Sequence, residues 1–139
     1  VNYLGQANHQ KHIKPVTPIK FGDFRSEDGL ICLEGSQGLT LSEKGLFHGR
    51  VLNKNRAIFF LELPEGARSL TLKIQNPTQN DEIFNLKINE IIVGEGIVVK
   101  AGFTEEKQFD LTLLRTNKRE VRISLEGSSK LTFLELKVL

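Results

Sequence analysis

Apolar and polar residues alternate along most of this chain. Leu70, Leu72 and Ile74 alternate with Thr71, Lys73 and Gln75, and Phe84, Leu86 and Ile88 with Asn85 and Lys87. Phe109 and Leu111, then Val121, Ile123 and Leu125, repeat the pattern. Successive side chains on a strand point to opposite faces, so each run predicts a strand with one buried and one wetted face. Ile58 to Leu61 is apolar throughout, which predicts a central strand covered on both sides. Leu30 to Leu33, Leu39 to Leu41, Ile97 to Val99 and the closing Leu131 to Leu139 complete the strand set.

The segments between these runs carry turn chemistry. Pro64-Glu65-Gly66 supplies a preset φ and a residue tolerant of positive φ. Asn76-Pro77-Thr78-Gln79-Asn80-Asp81 reads as a polar loop, and Asn89-Glu90 as a two-residue hairpin turn. Gly94-Glu95-Gly96 reads as a turn or a bulge, and 101–107 as a loop. About ten short strands at this spacing predict an all-β, antiparallel sandwich with no substantial helix. Residues 1–18 read as an arm or linker and 19–139 as one domain. The sequence has no Met, so the chain reads as trimmed, processed or cut from something larger.

Composition narrows the function. Nineteen Lys and Arg against seventeen Asp and Glu leave a net charge of +2 with the signs mixed. That predicts neither a nucleic-acid partner nor membrane insertion. Cys32 is the only cysteine; it excludes an intramolecular disulfide and reads as a small core residue. No Gly-X-Ser-X-Gly elbow, P-loop or His-Glu-X-X-His is present, so no residue is assigned a catalytic role. His9 and His12 lack an evident third ligand. Asp23, Glu27 and Asp28 offer oxygens for a structural calcium, without the spacing of a calcium loop.

One constellation follows from chain reversal alone. If every turn reverses the chain, the loops 46–56, 76–82, 94–96 and 115–119 share one end. That end would collect Arg50, Asn53, Lys54, Arg56, Asn80, Arg115, Lys118 and Arg119, suited to an anionic or polyhydroxyl ligand. Glu65, Glu90, Glu105 and Glu106, with Arg68 and Lys130, would occupy the opposite end.

Leu70 to Ile74, then Leu86-Lys87-Ile88-Asn89-Glu90-Ile91-Ile92-Val93-Gly94, then Ala101-Gly102-Phe103 and Phe109-Asp110-Leu111, resemble the galactose-binding-like jelly roll. The closing Leu134-Glu135-Leu136-Lys137-Val138 is similar to that superfamily's last strand, and Glu90 stands where the family prefers Gly. The resemblance implies a jelly-roll sandwich. It further implies a carbohydrate-binding or accessory module of a larger enzyme or surface protein, with an extracellular or cell-surface setting favoured and a structural calcium common. The alternative is a domain that docks on a neighbouring protein domain or mediates oligomerisation. With no Trp and one Tyr, sugar stacking would fall to an exposed Phe such as Phe24, Phe47 or Phe103.

Overall fold

Leu70, Leu72 and Ile74 are all buried, as are Phe84, Leu86 and Ile88, and the two runs face each other across the core. The computed structural model describes residues 19–21, 39–41, 49–52, 55–63, 65–112, 114 and 120–139. Among them lie ten strands: β1 (Ile19–Lys20), β2 (Leu39–Leu41), β3 (Arg50–Leu52), β4 (Arg56–Glu62), β5 (Ser69–Gln75), β6 (Glu82–Ile88), β7 (Ile91–Val99), β8 (Thr104–Asp110), β9 (Glu120–Gly127) and β10 (Thr132–Val138). The expected strand at Leu30 to Leu33, and Cys32 within it, lie outside the described residues.

One sheet runs β2-β3-β10-β5-β8, with β1 paired to the C-terminal half of β10. The other runs β4-β9-β6-β7. All pairings are antiparallel. Together the sheets form a β-sandwich of jelly-roll type. A path of edge-to-face phenylalanines crosses between them: Phe109, Phe84, Phe133, Phe21, Phe59, with ring centroids 5.5 to 6.2 Å apart.

Three sequence expectations change. Ile58 to Leu61 is well buried, with Ile58 covered on the outer face, but its strand β4 ends the sheet order rather than lying centrally. Residues 104–107 belong to β8, not to a loop. Gly94-Glu95-Gly96 is a bulge and does not reverse the chain; β7 runs through it from Ile91 to Val99. Gly94 is needed there because a Cβ would lie 2.5 Å from the Phe109 ring.

The third change shifts the loop arithmetic. At one end, four connections cross between the sheets side by side: β3 to β4, β9 to β10, β5 to β6 and β7 to β8. The connection between Asp110 and Glu120 belongs to the opposite end, with the Asn89-Glu90 hairpin and residues 63–68. The hairpin is as expected: Asn89 and Glu90 have φ of 51° and 69°, the left-handed pair a tight antiparallel hairpin needs.

Candidate functional site

At the end where the four connections cross, residues 100–103 form a tight turn. Phe103 N donates to Lys100 O at 3.0 Å, and Gly102 takes a φ of +75° that a side chain would resist. The turn is then fixed from outside at three further points. Lys100 N donates to Glu105 Oε2 at 2.7 Å, Ala101 N to Asp81 Oδ1 at 3.0 Å, and Asn76 N to Phe103 O at 2.9 Å. This pinned turn presents Phe103, 58% exposed, while Phe21, Phe59, Phe84, Phe109 and Phe133 are buried.

The neighbouring loop is built around Asn76, which is fully buried. Its Nδ2 donates to Asn80 O and Val99 O, both at 2.8 Å. Its Oδ1 accepts from Thr78 N at 3.0 Å and from Thr78 Oγ1 at 2.7 Å. Thr78 Oγ1 also lies 2.8 Å from Asn80 O. These bonds hold residues 76–81 beside Phe103 and leave Gln79 and Asn80 exposed. An aromatic face bordered by exposed amides offers one surface for the C–H groups of a polyol and another for its hydroxyls.

Glu105 carries the titratable part of this arrangement. The Lys100 amide, and after it the Lys107 ammonium 3.0 Å away, hold its carboxyl below its ordinary value of 4.5. A folded value under the unfolded one means the bond is fully stabilising above about pH 4.5 and is lost as pH falls through the lowered value. Acidification into that window should lower the protection of the Lys100 amide relative to its intrinsic exchange rate, and Glu105→Ala should lose that protection at neutral pH as well. Unchanged protection in the variant would mean the carboxylate does not fix the turn.

The predicted site residues separate. Arg56 is exposed at the start of β4, at the same end as Asn80. The two lie on different connections: β4 is two strands from β6, about 10 Å at ~4.8 Å per strand. Arg50 is buried within β3, where its Nε donates to Phe21 O at 3.0 Å. It ties β1 to β3 where both pair with β10. Burial lowers its pKa, though a guanidinium stays charged. Asn53, Lys54, Arg115, Lys118 and Arg119 lie outside the described residues, as do Asp23, Glu27 and Asp28. The strand ends that flank Arg115, Lys118 and Arg119 are nonetheless at the opposite end from Arg56 and Asn80.

The expected charge separation changes with them. Glu105, Glu106 and Lys130 join the Arg56 end, while Glu65, Glu90 and Arg68 stay opposite. The outward polar side chains of the strands also divide between the sheets, Lys73 on one and Asn85, Lys87 and Arg122 on the other. On the second, Lys87 pairs with Glu126 at 3.5 Å and Arg122 with Glu90 at 3.4 Å.

Phe103 is one of the phenylalanines expected to be exposed for stacking; the others named, Phe24 and Phe47, lie outside the described residues. Its signal is the preceding Ala101-Gly102, which places it at the exit of a turn rather than inside a run.

The described residues supply no calcium cage. No three His, Cys, Asp or Glu side chains come together among them. The two carboxylates nearest the turn, Asp81 and Glu105, are each occupied by a backbone amide. No helix among the described residues is long and apolar enough to cross a membrane.

No protein-family model matches the sequence, and no curated protein does. Solved structures do resemble the fold. A carbohydrate-binding module, CBM36, in complex with calcium and xylotriose superposes with a TM-score of 0.61, at 10% identity, over 89% of this chain and 100% of its own. The CBM36-1 domain of a multidomain xylanase from the hindgut metagenome of Trinervitermes trinervoides gives 0.58 at 13% identity, over 88% and 95%. CsCBM6-3 from Clostridium stercorarium in complex with cellobiose gives 0.52 at 13%, over 91% and 95%. The sandwich is therefore of the type found in carbohydrate-binding modules.

Proposed function

We propose that this chain is a non-catalytic carbohydrate-binding module whose ligand rests on Phe103. The observation that supports this most is a large apolar side chain held out to solvent on a turn pinned by four hydrogen bonds. Ordering a recognition side chain before the ligand arrives removes part of the entropy cost of binding. Gln79 and Asn80 are exposed on the adjoining 76–81 connection, which is bonded to the Phe103 turn at Asn76 and Asp81, and Arg56 lies farther along the same end. An oligosaccharide laid across the four connections would stack one ring on Phe103 and extend toward Arg56. That direction also suits an acidic sugar at its far end. The solved neighbours that hold xylotriose and cellobiose support β-linked oligosaccharides as first ligands to try.

The test is calorimetric titration of xylo- and cello-oligosaccharides into the wild type and Phe103→Ala. Loss of the aromatic anchor should weaken binding by at least about 30-fold, the scale of a central hot-spot residue. The melting temperature should stay nearly unchanged, because Phe103 is largely exposed. Arg56→Ala should lower affinity less, and mainly for acidic sugars. Wild-type binding that survives Phe103→Ala would place the site elsewhere. Repeating the titration in EDTA separates the question of calcium: a requirement for the ion would direct attention to Asp23, Glu27 and Asp28.

A further inference from the structure

Strand β7 ends its sheet, and no described strand pairs with its outer side. Edge strands of globular domains are normally short or guarded by charged residues, proline or a bulge, and on β7 the guards are the bulge at 94–96 and the single charge of Glu95. β7 is nine residues long, carries no lysine or proline, and exposes Ile91, Ile92 and Val98 on either side of that bulge. Its sequence explains how such an edge could be satisfied. Read outward from Glu95 in both directions, Gly94 matches Gly96, Val93 matches Ile97, Ile92 matches Val98 and Ile91 matches Val99. The next pair is Glu90 and Lys100, opposite in charge.

We propose that two copies of this chain pair β7 to β7 in antiparallel fashion about a two-fold axis through Glu95, joining the two four-stranded sheets into one. An isologous contact demands a self-complementary surface, and the palindrome supplies it at every pair except the axis, where Glu95 faces its own copy at the cost of a like-charge pair. The faces also agree. Ile92 and Val98 pair with Lys87 and Ile83 of β6, so both point to the outer face. Val93 and Ile97 both pack against the core, and Ile91 and Val99 pair on the inner side. The one mismatch in facing falls at Gly94 and Gly96, which have no side chain.

On the outer face the pairing completes a row. Ile83, 52% exposed, sits beside Val98, 41%, and Val98 would meet the second copy's Ile92, 54%. The symmetry repeats this row, so six exposed apolar side chains are covered. Each Lys100 meets a Glu90, whose side chain is 67% exposed and already pairs with Arg122 at 3.4 Å, so Lys100 would join that ion pair. The two copies' carbohydrate ends point in opposite directions, so this inference does not depend on the sugar site.

Sedimentation equilibrium on the intact chain tests it. The wild type should dimerise at micromolar concentration. Glu90→Lys and Lys100→Glu should each weaken the dimer by about tenfold or more, since two cross-strand pairs turn repulsive. The double variant should recover it. Val98→Lys should be monomeric, and its melting temperature should match the wild type's at concentrations where both are monomers. In a Cys32→Ser background, Glu95→Cys should oxidise to a cross-linked dimer, because residues opposite in an antiparallel pair lie at about 4.5–5.5 Å, within disulfide reach. A monomeric wild type would overturn the proposal. So would a dimer indifferent to the single charge reversals, a double variant that stays monomeric, or a Glu95→Cys protein that does not cross-link.

Discussion

Phe84→Ala should destabilise the domain by about 3–5 kcal/mol, a large part of what a domain of this size has. Phe84 is fully buried on β6 and touches two rings of the opposite sheet edge-on. Phe109 lies at 6.2 Å and 76°, and Phe133 at 5.5 Å and 88°. Truncation removes the transfer term, leaves a cavity between sheets that cannot collapse without moving six paired strands, and cuts the aromatic path in its middle. Each lost edge-to-face pair adds about 0.5–1.5 kcal/mol beyond area. Phe60→Ala is the control, because Phe60 is half-buried on the outer face, beside Arg122. It should cost about 1 kcal/mol, typical of a single substitution. Urea denaturation of both variants gives the comparison. Equal costs would mean that the core does not run through Phe84.

The alternating runs were readable because each strand buries a single face, so burial imprints a period of two on the sequence. The same signal fails where the period is interrupted. The glycines at 94 and 96 look like a reversal, yet a bulge absorbs two extra residues and the strand continues to Val99. One such misreading moves every later loop to the other end, which is why the strand ends flanking residues 115–119 lie opposite Arg56 and Asn80. Arg50 shows a different limit. An arginine among polar turn residues reads as solvated, and nothing local reveals that Phe21, 29 positions away, offers a carbonyl to its Nε. Phe103 was readable as a stacking candidate beside Phe24 and Phe47, but its place after a turn does not alone rank it above them: phenylalanine is usually core, and the pinned turn is what singles this one out.

Asn76→Ala should damage stability and binding together, where Phe103→Ala damages binding alone. Asn-Pro at a strand end reads as a solvated turn, but the Asn76 side chain is wholly buried and makes four hydrogen bonds. Alanine would leave the Val99 carbonyl without its amide partner inside the sandwich. An unsatisfied buried group costs about 1–3 kcal/mol, and the freed Asn80 and Thr78 groups add to it, so a loss of about 2–4 kcal/mol is expected. The backbone bond from Asn76 N to Phe103 O would then be held by a looser strand end. Sugar affinity should therefore fall even though Asn76 itself is inaccessible. Asn76→Asp gives the sharper result. It keeps the acceptor for Thr78 but places a carboxylate oxygen against two carbonyls, so it should be at least as destabilising as alanine. Thermal melts and calorimetric titration on both variants check this. Full affinity at a lowered melting temperature would show that the Phe103 turn is held without the Asn76 knot.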